Sequence, residues 1–182
     1  MGYYDDPKNV KQYIQMAEGY DGKLLIQALH NYLQEGATVL ELGMGPGKDL
    51  LLLNETYQVT GSDGSAVFVE RFQNLHPQIE AMQLDAVSIN TKQTYDGIYS
   101  NKVLYHLTRN DLKTSFERQA HVLNKNGIAL HSFWYGDNED EQHGLRFVYY
   151  TEETLKTLIG DEFKIIDIQR YTEMETDDSL YI

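Results

Sequence analysis

One stretch constrains this chain more than any other: Val39-Leu40-Glu41-Leu42-Gly43-Met44-Gly45-Pro46-Gly47-Lys48-Asp49. An apolar run ends in an acid, three glycines follow at alternate positions, and an amphipathic segment comes next. Glycine reaches backbone conformations closed to other residues, so this is a buried strand turning sharply into a helix. Such a turn also lets a ligand approach bare backbone N–H groups at a helix N-terminus. It points to a bound nucleoside-containing molecule, and the glycine spacing narrows which kind.

The pattern on either side predicts alternating elements. Asp6-Pro7 starts a helix, a capping acid followed by proline, with Val10, Tyr13, Ile14 and Ala17 at helical spacing. A second helix is expected over Lys23–Gln34. Strands follow at Thr38–Leu42, Tyr57–Gly61, Ile79–Leu84, Tyr95–Ser100 and Gly127–Trp134, with helices at Asp49–Asn54, Ala66–Leu75, Asn110–Leu123 and Thr151–Ile159. Phe163–Tyr171 and Ser179–Ile182 read as strands with no helix between them, so they form a hairpin and one of them runs antiparallel. The expected fold class is α/β. It is a Rossmann-like doubly wound sheet of about seven strands, mostly parallel, with helices on both faces and two extra N-terminal helices. The chain of 182 residues reads as a single domain. Residues 1–36 form a helical cap, 37–182 the core, and 135–150, with its acidic run Asp137–Glu141, a lid loop on the substrate side.

Charge and composition exclude several classes. Fifteen basic residues against 28 acidic ones give a net charge of −13. Phosphate backbones repel such a chain, which argues against a nucleic-acid substrate. Cysteine is absent, so there is no disulfide, thiolate metal site or cysteine nucleophile. No apolar run approaches the roughly 18 residues a bilayer span needs. The reading is a cytoplasmic protein without a membrane partner, monomeric or homodimeric.

A dinucleotide fold needs G-x-G-x-x-G with a helix N-terminus aimed at a pyrophosphate. Here Lys48 stands where the third glycine would be, and the glycines read G-x-G-x-G. Asp63 lies twenty residues beyond Gly43, at the end of the second strand. A carboxylate there can accept both hydroxyls of a ribose. Asp85, ending the third strand, can accept from an adenine amino group. Glu41 is costly to bury unless something pairs with it. A sulfonium carrying an α-ammonium suits these three acids; a pyrophosphate does not.

These residues resemble the class I S-adenosylmethionine-dependent methyltransferases, over about Thr38 to Ile182. Glu41–Gly47 looks like the family's first motif, and Asp63 matches its ribose-binding acid. Leu84-Asp85-Ala86 is similar to its adenine-contacting segment, and Tyr95–Leu107 to its fourth-strand motif. Ser179–Ile182 is short for the family's final strand. The resemblance implies S-adenosylmethionine as cofactor and S-adenosylhomocysteine as product. The implied cofactor residues are Glu41, Gly43, Met44, Gly45, Asp63, Gly64, Ser65, Asp85, Ala86, Asn101 and Lys102. It further implies that Tyr13 and Tyr20 close over the cofactor from the N-terminal helices.

Methyl transfer is an in-line displacement that needs alignment and exclusion of water more than it needs a metal; none is expected. His106 is the first choice as a base because an imidazole titrates near working pH, with Tyr105 beside it. His131, Trp134 and Tyr135 could wall a small-molecule substrate pocket. The leading expectation is a small-molecule methyltransferase. The alternatives are a non-catalytic protein that binds the same cofactor and, less favoured because of Lys48, an NAD-dependent reductase.

Overall fold

The computed structural model describes residues 2–142 and 144–182; Met1, and His143 within the 135–150 segment, lie outside the described residues. In chain order come α1 (Pro7–Met16), α2 (Lys23–His30), β1 (Thr38–Leu42), α3 (Lys48–Leu53), β2 (Gln58–Asp63), α4 (Ala66–Leu75), β3 (Glu80–Gln83) and β4 (Tyr95–Asn101). Then follow α5 (Arg109–Val122), β5 (Leu123–Trp134), β6 (Glu139–Gln142), β7 (Leu145–Val148), α6 (Glu152–Leu158), β8 (Gln169–Tyr171) and β9 (Ser179–Tyr181).

Seven strands form one sheet in the order β3-β2-β1-β4-β5-β9-β8. β1 pairs in parallel with both β2 and β4, and β9 runs antiparallel to β5 and β8. The expected antiparallel hairpin at the end of the chain is therefore present, with β9 inserted between β5 and β8. Strand order reverses at β1 and β4, and an open α/β sheet offers its ligand crevice beyond the carboxyl ends of strands at such a switch.

Side-chain alternation divides the core between the two faces of the sheet. Leu40 and Leu42 of β1 and Ile98 of β4 pack with Leu112, Phe116 and Leu155 on one face. Val39 and Tyr99, one residue out of phase, pack with Leu25, Ile26 and Leu29 of α2 on the other. Successive strand residues point to opposite faces, and a strand covered on both sides must be apolar throughout.

The ends of several elements depart from the pattern. α2 stops at His30 rather than Gln34. The stretch expected as a strand from Phe163 narrows to Gln169–Tyr171, because the ladder of β9 reaches only from Tyr181 opposite Gln169 to Ser179 opposite Tyr171. Among the described residues no strand lies opposite 163–168. Residues 135–150 hold a hairpin of their own: β6 pairs antiparallel with β7, and the acidic run supplies β6. Charge hid that strand, since β6 is exposed along its whole length and carries no apolar alternation.

Candidate active site

The glycine turn stands at the carboxyl end of β1. Gly43, Gly45 and Gly47 have φ values of +67°, +50° and +85°. A Cβ on Gly43 would meet Val103 at 2.4 Å, and one on Gly47 would meet Phe72 at 2.2 Å. Both the left-handed backbone and the close packing require glycine. Lys48 opens α3, and its ammonium donates to the Tyr20 carbonyl at 2.6 Å, tying the helical cap to the turn.

Asp63 braces the turn from the neighbouring strand. One oxygen accepts from the Gly45 N–H at 2.9 Å, the other from the Ser65 N–H at 2.8 Å. Burial raises its pKa while these two bonds oppose the rise. Ser65 caps α4 and donates to the Tyr4 carbonyl at 2.6 Å. That holds the N-terminal turn over the site, where Tyr4, Tyr13 and Phe68 form an edge-to-face and tilted aromatic cluster.

Two adjoining cavities lie beyond the strand ends. The larger, about 490 Å³, is bounded by Tyr4, Tyr13, Asp63, Ser65, Asp85 and Ala86, among others. The second, about 220 Å³, is bounded by Glu41, Asp49, Asn101, Tyr105, Trp134 and Glu173, among others. Tyr13, Gly43, Gly45, Lys102 and His106 border both. Met44 borders the second and Gly64 the first.

Glu41 is 3% exposed, and its Oε2 is one of three buried side-chain oxygens without a hydrogen-bond partner among the described residues. Burial, then the charges of Asp49 and Asp63, push its carboxyl well above the usual range. Asp49 borders the smaller cavity and was not marked by the sequence pattern. Its carboxylate accepts from the Gly22 N–H at 2.7 Å, the Tyr99 hydroxyl at 2.8 Å and the Asn101 amide at 3.0 Å. An acid in the first turn of the helix after the glycines was the available signal. The buried acids around Glu41 are thus Asp49 and Asp63. Asp85 stands apart, two strands away, and both its oxygens cap the turn through Val87 and Ser88.

His106 sits between the cavities on the short turn after β4. Its Nδ1 is 2.6 Å from the Arg146 carbonyl oxygen on β7. A carbonyl only accepts, so Nδ1 carries the proton and Nε2 keeps a free lone pair. Burial lowers the imidazole pKa against the opposing effect of that bond, which favours the neutral ring. Tyr105 packs on His106 with ring centroids 4.0 Å apart, and Phe147 lies edge-on to His106 at 5.1 Å. Burial raises the Tyr105 hydroxyl pKa, so it stays protonated.

Lys102 takes a left-handed backbone, φ +54°, that turns its side chain inward. Its ammonium donates to the Phe133 carbonyl at 3.0 Å and the Ser179 hydroxyl at 2.7 Å, pairs with Glu173 at 3.2 Å, and lies 3.4 Å above the Trp134 ring. Burial, partly countered by Glu173, brings its pKa down to about 8.

Two expected substrate residues fall outside both cavities. His131 is 1% exposed inside the sheet, bonded to Ser100 at 2.8 Å and Gln119 at 2.7 Å. As the inward residue of a central strand it belongs to the core; burial brings its pKa to about 3. Tyr135 lies under the Arg170 guanidinium at 3.5 Å, away from the cleft. Among the described residues no cluster of three or more acids or histidines could hold a metal, and no helix is long and apolar enough to cross a membrane.

Residues 39–127 match the family model for a methyltransferase domain. A 78-residue stretch is 36% identical to trans-aconitate 2-methyltransferase from an Azoarcus species, covering 41% of this chain. The chain spans about a third, 31%, of the length of that curated relative. A Clostridium acetobutylicum S-adenosylmethionine-dependent methyltransferase superposes with a TM-score of 0.75 at 14% identity, covering 96% of both chains. A glycopeptide N-methyltransferase complexed with S-adenosylmethionine gives 0.72 at 13% identity, covering 99% of this chain and 97% of its own. At such identities the likeness is one of fold. Residues 39–127 are thus similar to the methyltransferase-domain family, and the seven-stranded sheet has the fold of the S-adenosylmethionine-dependent methyltransferases on which it superposes.

Proposed function

We propose that this protein transfers a methyl group from S-adenosylmethionine to a small-molecule acceptor. The observation that carries the reading is the unpartnered Glu41 carboxyl, buried beside a braced glycine turn and opening on a cavity. A buried acid without a partner is costly unless a ligand supplies one. The α-ammonium of the cofactor is such a partner.

The donor set fits the whole cofactor. Asp63 at the end of β2 suits the ribose hydroxyls, with Gly64 and Ser65 beside it. Asp85 and Ala86 border the larger cavity where an adenine would lie. Gly43, Gly45 and Lys102 border both cavities, and Met44 and Asn101 the smaller one. When bound, the cofactor supplies an electrophilic methyl group on a sulfonium. The remaining work falls to the chain: Tyr4 and Tyr13 cover the larger cavity, and Tyr105 and Trp134 wall the smaller one. These aromatic surfaces exclude water from the transfer path. His106, with Nε2 free, is the group able to take a proton from the acceptor. Residues 135–150 act as the substrate-side lid, since β7 supplies the carbonyl that orients His106.

A net charge of −13 favours a small molecule over a nucleic acid. Titration calorimetry with S-adenosylhomocysteine tests the reading. Saturable binding is expected. No binding at roughly 1 mM, where association contributes only about 4 kcal/mol, overturns it.

A further inference from the structure

We infer that Lys48 receives the α-carboxylate of the cofactor, so that the smaller cavity reads both charges of an amino-acid head. This rests on the methyl-transfer reading above and adds the carboxylate partner which that reading leaves unassigned.

An amino-acid head carries an ammonium and a carboxylate on one carbon. A cavity that takes it must bring an acid and a cation to one space, because a desolvated charge without a partner is costly. Four acids border the smaller cavity, and three of them are engaged. Asp21 pairs with Lys23 at 3.0 Å, Glu173 pairs with Lys102 at 3.2 Å, and Asp49 accepts from Gly22, Tyr99 and Asn101. Among the four, Glu41 keeps a buried oxygen with no partner. The ammonium of the head therefore goes to Glu41.

The same sorting leaves one cation. Lys48 and Lys102 border the cavity, and burial favours the neutral ring of His106 beside them. An ammonium has three donors, and those of Lys102 go to Phe133, Ser179 and Glu173. Glu173 already meets its charge. Lys48 is exposed at the rim, gives one donor to the Tyr20 carbonyl at 2.6 Å, and forms no ion pair among the described residues. Two donors and a full charge are left for a carboxylate. The carbonyl does not neutralise the ammonium, but it holds the long side chain in place, so less rotamer freedom is lost when a ligand arrives.

The place of Lys48 in the turn agrees with this role. A dinucleotide fold has its third glycine there, for close packing of helix on strand beside a pyrophosphate. Here Gly47, with φ +85°, makes the turn one residue earlier, which leaves position 48 able to carry a side chain. A lysine at that point suits a carboxylate in the cavity that Glu41 also borders.

Two ligands that differ only in the carboxylate test the assignment: S-adenosylhomocysteine and its decarboxylated form, S-adenosyl-3-thiopropylamine. Titration calorimetry measures both on the parent protein and on Lys48→Met. The parent is expected to bind S-adenosylhomocysteine at least about tenfold more tightly than the decarboxylated ligand, a difference of about 1.4 kcal/mol. In Lys48→Met that preference should fall below about threefold, because S-adenosylhomocysteine loses affinity while the decarboxylated ligand hardly changes. Lys48→Arg, which keeps the charge, should recover most of the preference. The preference compares two ligands on one protein, so a general loss of stability cancels. Equal weakening of both ligands overturns the assignment and makes Lys48 a tether for the helical cap alone. A preference that survives in Lys48→Met also overturns it, because the carboxylate is then held elsewhere. A parent that binds both ligands equally well overturns this inference and leaves the methyl-transfer reading in place. A parent that binds neither at roughly 1 mM removes that reading, and this inference with it.

Discussion

The carboxylate of Asp63 accepts a hydrogen bond from the backbone N–H of Gly45 at 2.9 Å, so the acid ending β2 fixes the glycine turn that ends β1. One side chain thereby shapes the cradle and faces the cavity. Asp63→Ala should weaken S-adenosylhomocysteine binding by roughly 1.5–3 kcal/mol, the cost of losing a charged acceptor. Calorimetry reads it directly; affinity equal to the parent protein rules out a ribose contact at Asp63.

The glycine turn should resist any side chain. Gly47→Ala places a Cβ 2.2 Å from the Phe72 ring on a backbone with φ +85°. Strain and overpacking together should cost roughly 2–4 kcal/mol, visible as a lowered thermal midpoint. Gly64, with open space around its Cβ position, is the control and should tolerate alanine.

Glu41 should lose a proton when the cofactor binds. Burial, then the charges of Asp49 and Asp63, push its carboxyl toward the protonated form, and an ammonium beside it favours the ionised form. Titrations with S-adenosylhomocysteine in buffers of different ionisation heat should therefore give different apparent enthalpies. The Glu41→Gln variant should lose that dependence. Identical heats in all buffers for the parent protein would argue against this pairing.

Once an acceptor is in hand, His106→Ala should lower kcat by roughly 10²–10⁴-fold, the usual contribution of a general base. Cofactor affinity should fall far less. Because burial lowers the His106 pKa below its ordinary 6.5, the rate should climb with pH only below that value and level off above it. A variant that keeps full kcat would leave His106 a packing residue.

Stability has its own pH signature. An unfolded histidine titrates near 6.5, whereas folded His131 titrates at about 3. Below pH 6.5 the unfolded chain binds a proton that the native chain refuses. Stability therefore falls as the pH drops from 6.5 toward 3, by up to about 1.4 kcal/mol per unit from this group. Denaturant unfolding of His131→Gln should show a flatter slope across that window. Equal slopes would mean that some other group carries the effect.

Some of this molecule is legible in the sequence alone. The glycine spacing, the acid ending β1 and the acid ending β2 are local features, and local features locate a strand, a turn and a helix N-terminus. Alternation of strands and helices similarly implied a parallel sheet, and the absence of a helix between the last two strands implied their hairpin. The N-terminus of α1 was readable from Asp6-Pro7, since a cap depends on neighbours in sequence; Asp6 does accept from the Lys8 N–H at 2.8 Å.

What the tertiary structure decided was which of several similar residues face the cleft. His106 and His131 each follow an apolar residue, Tyr105 and Leu130, yet one meets the Arg146 carbonyl at the cleft and the other is enclosed by Ser100 and Gln119. Asp49 and Asp85 are both acids next to strand ends or turns, yet only Asp49 closes on Glu41. Lys102 read as a cofactor contact, but its ammonium is folded back onto Trp134 and Glu173 from a loop seventy residues further on. Sequence patterns report periodicity and local propensity, which set the elements. Partner choice for a charge depends on distances between elements far apart in the chain, and only packing fixes those.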